Sequence, residues 1–392
     1  MKKHLFKIFL LLWIPMAAQS NMEEVMGEIR RNNKTIQSNV RYAEAQKLQY
    51  RTGISLYDPT VEYDYLKGSP ADAGNQTDVT VTQSFDFPTS YFRRRQLARL
   101  QALQEDYRLK AANREILFEA RQVCIELVYR NKLKGPLELR KTATEKWLSQ
   151  FRKRLKQGDG NILDVNKAEL QLIDIKKNHQ TNLAEIARLH QRLTALNGGE
   201  PLIFSDTVYF EMPSIPDFET LEKEIEQNDP ALKVLQQEKA IAEKQVEVTK
   251  SMAYPKMELG YHYQGILGQT YNGVHSGMTI PLWESRNTVK LQKARSAVAE
   301  SQIMEHSTEH YHEIKQLYLR YENLKAILAD YSNTMNAREN IRLLDKAFAL
   351  GHLSSLEYFA EVSYYNNVFN DYLATERELH EVVASLYKFR LE

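Results

Sequence analysis

The periodicity of this chain switches between that of helices and that of strands, and it does so twice in the same order. Val25, Ile29, Ile36, Val40, Ala43 and Leu48 recur near helical spacing and predict a helix over about 22–54, ended by Tyr57-Asp58-Pro59. The period then falls to two. In Val61-Glu62-Tyr63-Asp64-Tyr65 apolar and aromatic residues alternate with acids. Over 77–87, Val79, Val81, Phe85 and Phe87 face one way, and Asp78, Thr80, Thr82, Ser84 and Asp86 the other. With residues 68–75 as the loop, the pair predicts a β-hairpin with one greasy and one polar face. From Tyr91 a helical pattern runs to about Gln157. Gly135-Pro136 interrupts it and predicts a kink, and Gly158 is its stop. A further helix over about 162–196 ends at Asn197-Gly198-Gly199. Residues 198–217, with three prolines, read as a linker holding a short strand-like run at 207–210.

The second half repeats this order. A helix is predicted over about 218–251, with a break at Asp229-Pro230. Met257, Leu259, Tyr261 and Tyr263 alternate with Glu258, Gly260 and His262. Residues 265–271 read as the loop, and Val274, Met278 and Ile280 then share one face. A long helix over about 284–350 stops at Gly351, and a last helix covers about 355–390. The shift between the halves is 193 at Pro88/Pro281 and again at Gly158/Gly351, and 196 at Pro59/Pro255. Paired landmarks at one offset predict an internal tandem repeat, residues 21–197 and 218–392, each a helix, a β-hairpin (59–88 and 255–281) and a helical hairpin (91–197 and 284–390).

The lengths narrow the architecture. Each long helix of this reading extends about 100 Å at 1.5 Å per residue, and the shorter helices sum in pairs to the same length. The strands have the length and alternation of bilayer-crossing β-segments. Four strands cannot close a barrel, for which about eight are needed, and open edges cannot face lipid. Strands that enter a membrane must therefore be completed by further copies; three copies would supply about twelve. The alternative is two small hairpins decorating a soluble coiled coil. The fold class expected is thus mainly α with membrane β.

Composition excludes more than it selects. With 52 Lys and Arg against 51 Asp and Glu, the formal net charge is +1, which argues against nucleic acid as a partner. The single cysteine, Cys124, reads as a small buried hydrophobe. Lys2, Lys3 and the apolar run from Leu5 to Met16, followed by Ala17-Ala18-Gln19-Ser20, predict a secretory leader over 1–20. No cysteine stands at that boundary to carry lipid. No later apolar stretch approaches the roughly 18 residues of a spanning helix. No glycine-rich phosphate loop, no Gly-x-Ser-x-Gly and no spaced Cys/His set occurs, so neither catalysis nor a cofactor is expected.

Three groups of residues carry candidate chemistry. Asn161-x-x-Asp164 and Ser354-x-x-Glu357 fit helix N-capping, the second as a capping box. His306-x3-His310-x-His312 lies among Glu305, Glu309 and Glu313. His306 and His310 are one turn apart and are weak metal candidates; the surrounding charge reads as a solvated helix face, and no metal is assigned. Tyr63, Tyr65, Tyr261, Tyr263, Phe85 and Phe87 suit an interfacial aromatic belt or cross-strand packing. Arg93, Arg94 and Arg95 suit either a membrane border or a solvated face.

The order of helix, hairpin, proline, long helix, Gly-x-x-[Ser/Asn]-x-Leu-[Asp/Glu] turn and helix, all twice, resembles the TolC-type outer-membrane efflux protein family over essentially the whole chain after the leader. The turns at Gly158–Val165 and Gly351–Tyr358 look like that family's periplasmic tip, and Asn228-Asp229-Pro230-Ala231-Leu232 like the start of its third helical stretch. The resemblance implies a homotrimer with a twelve-stranded barrel in the outer membrane and an α-helical barrel across the periplasm. It implies docking of a periplasmic adaptor and an inner-membrane pump at the tip, through Gly158, Leu163, Gly351 and Leu356. Asp159, Asp164 and Glu357, each repeated by threefold symmetry, become candidates for a cation-favouring entrance gate. The chain is short for the family, its linker is lean, and it stops at Glu392 without a tail. The function expected is the passive, gated exit duct of a tripartite efflux system. The rivals are a type I secretion duct with polypeptide cargo, and a periplasmic coiled-coil adaptor or tether with no pore.

Overall fold

The computed structural model describes residues 22–283, 287–334 and 337–391. The expected leader lies outside the described residues, as does Glu284, where the pattern starts the second long helix. The first helix is two, α1 (Met22–Asn32) and α2 (Lys34–Gln49). Asn33 lies between them, buried, its Nδ2 donating to the Leu196 carbonyl at 2.7 Å. Asn33 N–H still donates to the Ile29 carbonyl, so the interruption is one residue wide. β1 (Thr60–Leu66) and β2 (Gln76–Phe85) follow, then α3 (Pro88–Lys156) and α4 (Ile162–Leu196). Pro136 sits inside α3 without ending it. A proline deletes one N–H from the ladder, and the helix around it carries on.

The linker holds no strand. The expected run at 207–210 has no partner strand, and its aromatics go to helix packing instead: Tyr209 stacks on His380 at 4.1 Å between ring centroids. The predicted break at Asp229 separates α5 (Phe218–Asn228) from α6 (Pro230–Met252). β3 (Met257–Ile266) and β4 (Gln269–Met278) form the second hairpin, with a much shorter loop than the pattern suggests. Pairing runs to Ile266 opposite Gln269, leaving Leu267-Gly268 as the turn. Both have positive φ, 49° and 78°, as a two-residue type I′ turn requires. Glycines at 265, 268 and 273 disguise this turn as a long loop. α7 (Thr288–Thr334), α8 (Ala337–Ala349) and α9 (Ser355–Leu386) complete the chain; α7 and α8 share the span read as one long helix.

The two hairpins join in one antiparallel sheet, ordered β1-β2-β3-β4. The register aligns side chains by face. One row reads Val61, Val81, Tyr261, Val274, and the adjacent row Glu62, Thr80, His262, Gly273. Because strand side chains alternate, one face carries Val61, Tyr63, Val79, Val81, Tyr261 and Val274, and the other Glu62, Asp64, Asp78, Thr80, Glu258 and His262. Most of the apolar face is exposed, Val274 to 85%. β1 and β4 each have one neighbour.

The chain forms two compact units, each drawing on both halves of the sequence. The first holds the described part of Met1–Asn33, Glu119–Pro213 and Asn323–Glu381; the second holds Lys34–Phe118, Ser214–Glu322 and Val382–Glu392. In the second, Ser90 at the start of α3 donates its hydroxyl to the Ser251 carbonyl near the end of α6 at 3.0 Å, both residues fully buried. Among the described residues no helix is long and apolar enough to cross a membrane.

Candidate functional site: two helical turns and their aromatic core

Both helical hairpins turn in the first unit, through the same hydrogen bonds. After α3, Gly158 has φ 79°; its N–H donates to Leu155 O, and Asp159 N–H reaches back to Arg154 O. After α8, Gly351 has φ 78°; its N–H donates to Phe348 O, and His352 N–H reaches back to Ala347 O. This 6→1 and 5→2 pairing is a Schellman stop, and it needs a left-handed residue where glycine stands. Both following helices are capped by side chains, but differently. Asn161 Oδ1 accepts from Leu163 N–H at 2.9 Å. Ser354 and Glu357 cap reciprocally: Glu357 N–H donates to Ser354 Oγ at 3.3 Å, while Glu357 Oε2 accepts from Ser354 N–H at 2.9 Å and from its hydroxyl at 2.8 Å. These bonds hold the Glu357 carboxyl below its usual range, the Ser354 N–H first and the hydroxyl second.

The residues singled out in the sequence sit on these turns. Leu163 and Leu356, at matching positions, are 67% and 61% exposed. Gly158, Asp159, Gly351 and Glu357 are exposed and Asp164 is half-buried. Behind them lies a core that sequence reasoning misses. Leu148, Phe151, Val165, Ala168, Tyr358 and Phe359 are buried together, with Trp147 and Phe348 packed against them. Trp147 meets Phe348 edge-on at 4.8 Å, and Phe348 stacks on Tyr358 at 4.5 Å. Tyr358 donates its hydroxyl to Asp345 Oδ1 at 2.6 Å; burial and then that carboxylate push its pKa up. The available signal was the spacing of Trp147 and Phe151, one turn apart in the last turns of α3 before the Gly158 stop.

Other candidates find different partners. Arg94 pairs with the buried Asp86 at the β2–α3 corner, and Arg93 donates to the Glu247 carbonyl at 2.9 Å, tying α3 to α6. Cys124 is fully buried, and burial pushes its thiol up to about 12, so it behaves as a small hydrophobe. His380 is buried on Tyr209, and burial, reinforced by Lys132, pushes its imidazole down to about 4. His306 and His310 stack at 5.3 Å and meet a residue the spacing did not suggest: His306 Nε2 lies 2.8 Å from Asp229 Oδ2. Ligand atoms of Asp229, His306 and His310 all lie within 4.8 Å of one another. His312 is not in that group.

By sequence the chain matches no protein-family model and no curated protein. Its structure does have close likenesses. A membrane protein from Pseudomonas aeruginosa matches with a TM-score of 0.78 at 13% identity, over 94% of this chain and 89% of that one. The outer membrane protein VceC from Vibrio cholerae matches at 0.75 and 14%, over 94% of both chains. The outer membrane channel CmeC of Campylobacter jejuni matches at 0.73 and 13%, over 94% of this chain and 85% of that one. With a four-stranded antiparallel sheet whose apolar face is exposed, and two helical hairpins turning on glycine, this chain has the fold of the outer-membrane channel proteins.

Proposed function

We propose that the chain is a TolC-type outer-membrane factor, the exit duct of a tripartite efflux system, acting as a passive, gated homotrimer. The observation that carries this is the sheet. It has one apolar and one polar face, two single-neighbour edge strands, and too few strands to close, since the smallest membrane barrels need about eight. Edge backbone groups in lipid have no water to bond. Three copies, β1 of each pairing with β4 of the next, satisfy every edge in a twelve-stranded barrel. The polar face then lines the lumen and the apolar face meets outer-membrane lipid. The matching hydrogen bonds at Gly158 and Gly351 support a tandem repeat with offset 193.

In this reading the helical hairpins extend into the periplasm, and their turns dock a periplasmic adaptor that links the duct to an inner-membrane pump. Leu163 and Leu356, apolar and exposed at matching positions, are the contacts, with Gly158 and Gly351 setting the turn. Asp159, Asp164 and Glu357 ring the entrance. The duct needs no catalytic group of its own, because the pump supplies the energy. Detergent-extracted protein reconstituted in planar bilayers should give discrete conductance as a trimer; a water-soluble monomer without conductance overturns the duct. Replacing Leu163 and Leu356 by Asp should abolish export while trimers stay intact, and normal export in that double variant removes tip docking.

A further inference from the structure

A second cluster, in the unit that carries the sheet, has chemistry that a passive duct does not use. Asp229 joins α5 to α6 and is buried. Its carboxylate caps α6, Oδ1 accepting from Ala231 N–H at 2.9 Å and Oδ2 from Leu232 N–H at 3.2 Å. Two backbone donors fix the carboxylate plane. Oδ2 then faces His306 Nε2. His310, one turn along α7, presents its ring parallel to that of His306. Glu313, on the same face of α7, lines the same cavity of about 350 Å³.

We propose that Asp229, His306 and His310 bind one divalent transition-metal ion of the zinc class, clamping the start of α6 to α7. Two imidazoles and a carboxylate are the donors that such ions prefer, whereas magnesium and calcium prefer oxygen alone. The three ligand atoms already lie within 4.8 Å of one another. Two ligands of a tetrahedral zinc stand about 3.3 Å apart, given bonds of about 2.0–2.1 Å. Binding would draw the His310 nitrogen inward by side-chain rotation on α7 and open the Asp229–His306 pair by about half an ångström, with the proton between them leaving. Water fills the remaining position.

The electrostatics are compatible. Burial opposes a charge on Asp229, but the His306 hydrogen bond and the Ala231 N–H hold its carboxyl below its usual range. The nearby cations are engaged elsewhere. Arg114 donates Nε to the Leu391 carbonyl at 3.1 Å and Nη1 to the Asn228 carbonyl at 3.2 Å. Lys388 pairs with Glu115 at 2.5 Å. The backbone bonds to Asp229 act as the outer shell that orients a ligand.

The test uses the full-length protein in detergent, free of affinity tag and stripped by chelator. Titration with Zn²⁺ in a calorimeter should show one saturable site per chain. Co²⁺ in its place should give the visible absorption of a four- or five-coordinate ion, and Cu²⁺ an electron-spin spectrum with nitrogen coupling. The H306Q/H310Q double variant should lose these signals, and D229N, which keeps a capping side chain, should weaken Zn²⁺ binding at least tenfold. Absence of a stoichiometric site in the unmodified protein overturns the proposal without any appeal to variants, as does binding that survives H306Q/H310Q. Conductance is read separately and bears on the duct alone.

Discussion

Trp147, Phe151 and Phe348 near the turns and Tyr63, Tyr65 and Tyr261 on the sheet are the same class of side chain under opposite rules. Near the turns the rings cover one another, and Phe151, Tyr358 and Phe359 are all but removed from solvent by this chain alone. On the sheet, rings and branched side chains line up on one face and remain exposed, Tyr63 to 64%. A soluble protein seldom leaves so continuous an apolar surface uncovered. The helical region finishes its core by itself; the sheet leaves its apolar face open within this chain, as the proposed barrel requires. The first region should therefore respond to mutation through stability, and the second through where the protein goes.

Truncating one ring in each region separates the two most strongly. Phe151→Ala removes a buried ring that packs against Phe348 and Phe359, and should cost about 3–5 kcal/mol, the usual range for Phe→Ala in a core. Tyr63→Ala should change stability in detergent by well under about 1 kcal/mol, as exposed positions do. The measurement is thermal or denaturant unfolding of each variant, followed by the helical circular dichroism signal. Equal losses would mean that the sheet face is covered within a single chain, and the contrast would fail.

The next effect is on membrane entry. Val81 lies on inner strand β2, between Val61 and Tyr261 in the register. An arginine on a lipid-facing barrel strand costs about 2–4 kcal/mol near the bilayer midplane. In the proposed barrel, Val81→Arg should therefore leave the helical signal intact and shift the protein out of the outer-membrane fraction. Thr80→Arg, on the opposite face of the same strand, should enter normally. Exclusion of both variants, or of neither, would break the assignment of faces.

Much of this contrast was legible in the sequence because both periodicities are local. Alternation over 79–85 and 257–263 marked two strands and their faces, but it ran too far at the ends: β2 stops at Phe85, leaving Asp86 and Phe87 at the corner, and β4 stops at Met278, short of Ile280. The glycines with Asn161 and Ser354 gave the turns and the two kinds of cap. What was not legible depended on distant partners. Asn33 marks the α1–α2 break through an amide bonded to Leu196, and nothing near Asn33 in sequence reveals that. Asp229 read only as a helix start, because His306 meets it from 77 positions away. The aromatic core unites residues from α3, α4, α8 and α9, so no single window contains it. The tight turn at Leu267-Gly268 was hidden by composition: the surrounding glycines imitate a loop, and only the ladder from Ile266 to Gln269 restores the register.

The smallest effect refines the self-sufficient side of the comparison, since the two caps that lead α4 and α9 into the aromatic core differ in charge. Asn161 caps with a neutral amide, and Glu357 with a carboxylate held below its usual range by Ser354. A carboxyl whose pKa is lower folded than unfolded contributes stability above its unfolded value, about 4.3 for Glu, and that contribution is lost as pH falls through the folded value. Below about pH 4.3 the start of α9 should fray while the start of α4 holds. Amide hydrogen exchange, corrected for the intrinsic pH dependence, should show protection at Glu357 and Tyr358 falling in that window, with Leu163 unchanged. In Glu357→Gln the fall should disappear, leaving both helices equally insensitive to acid. Parallel loss at Leu163 and Tyr358 in the unmodified protein would mean that acid loosens the shared core rather than one cap, because that core is the element both helices hold in common.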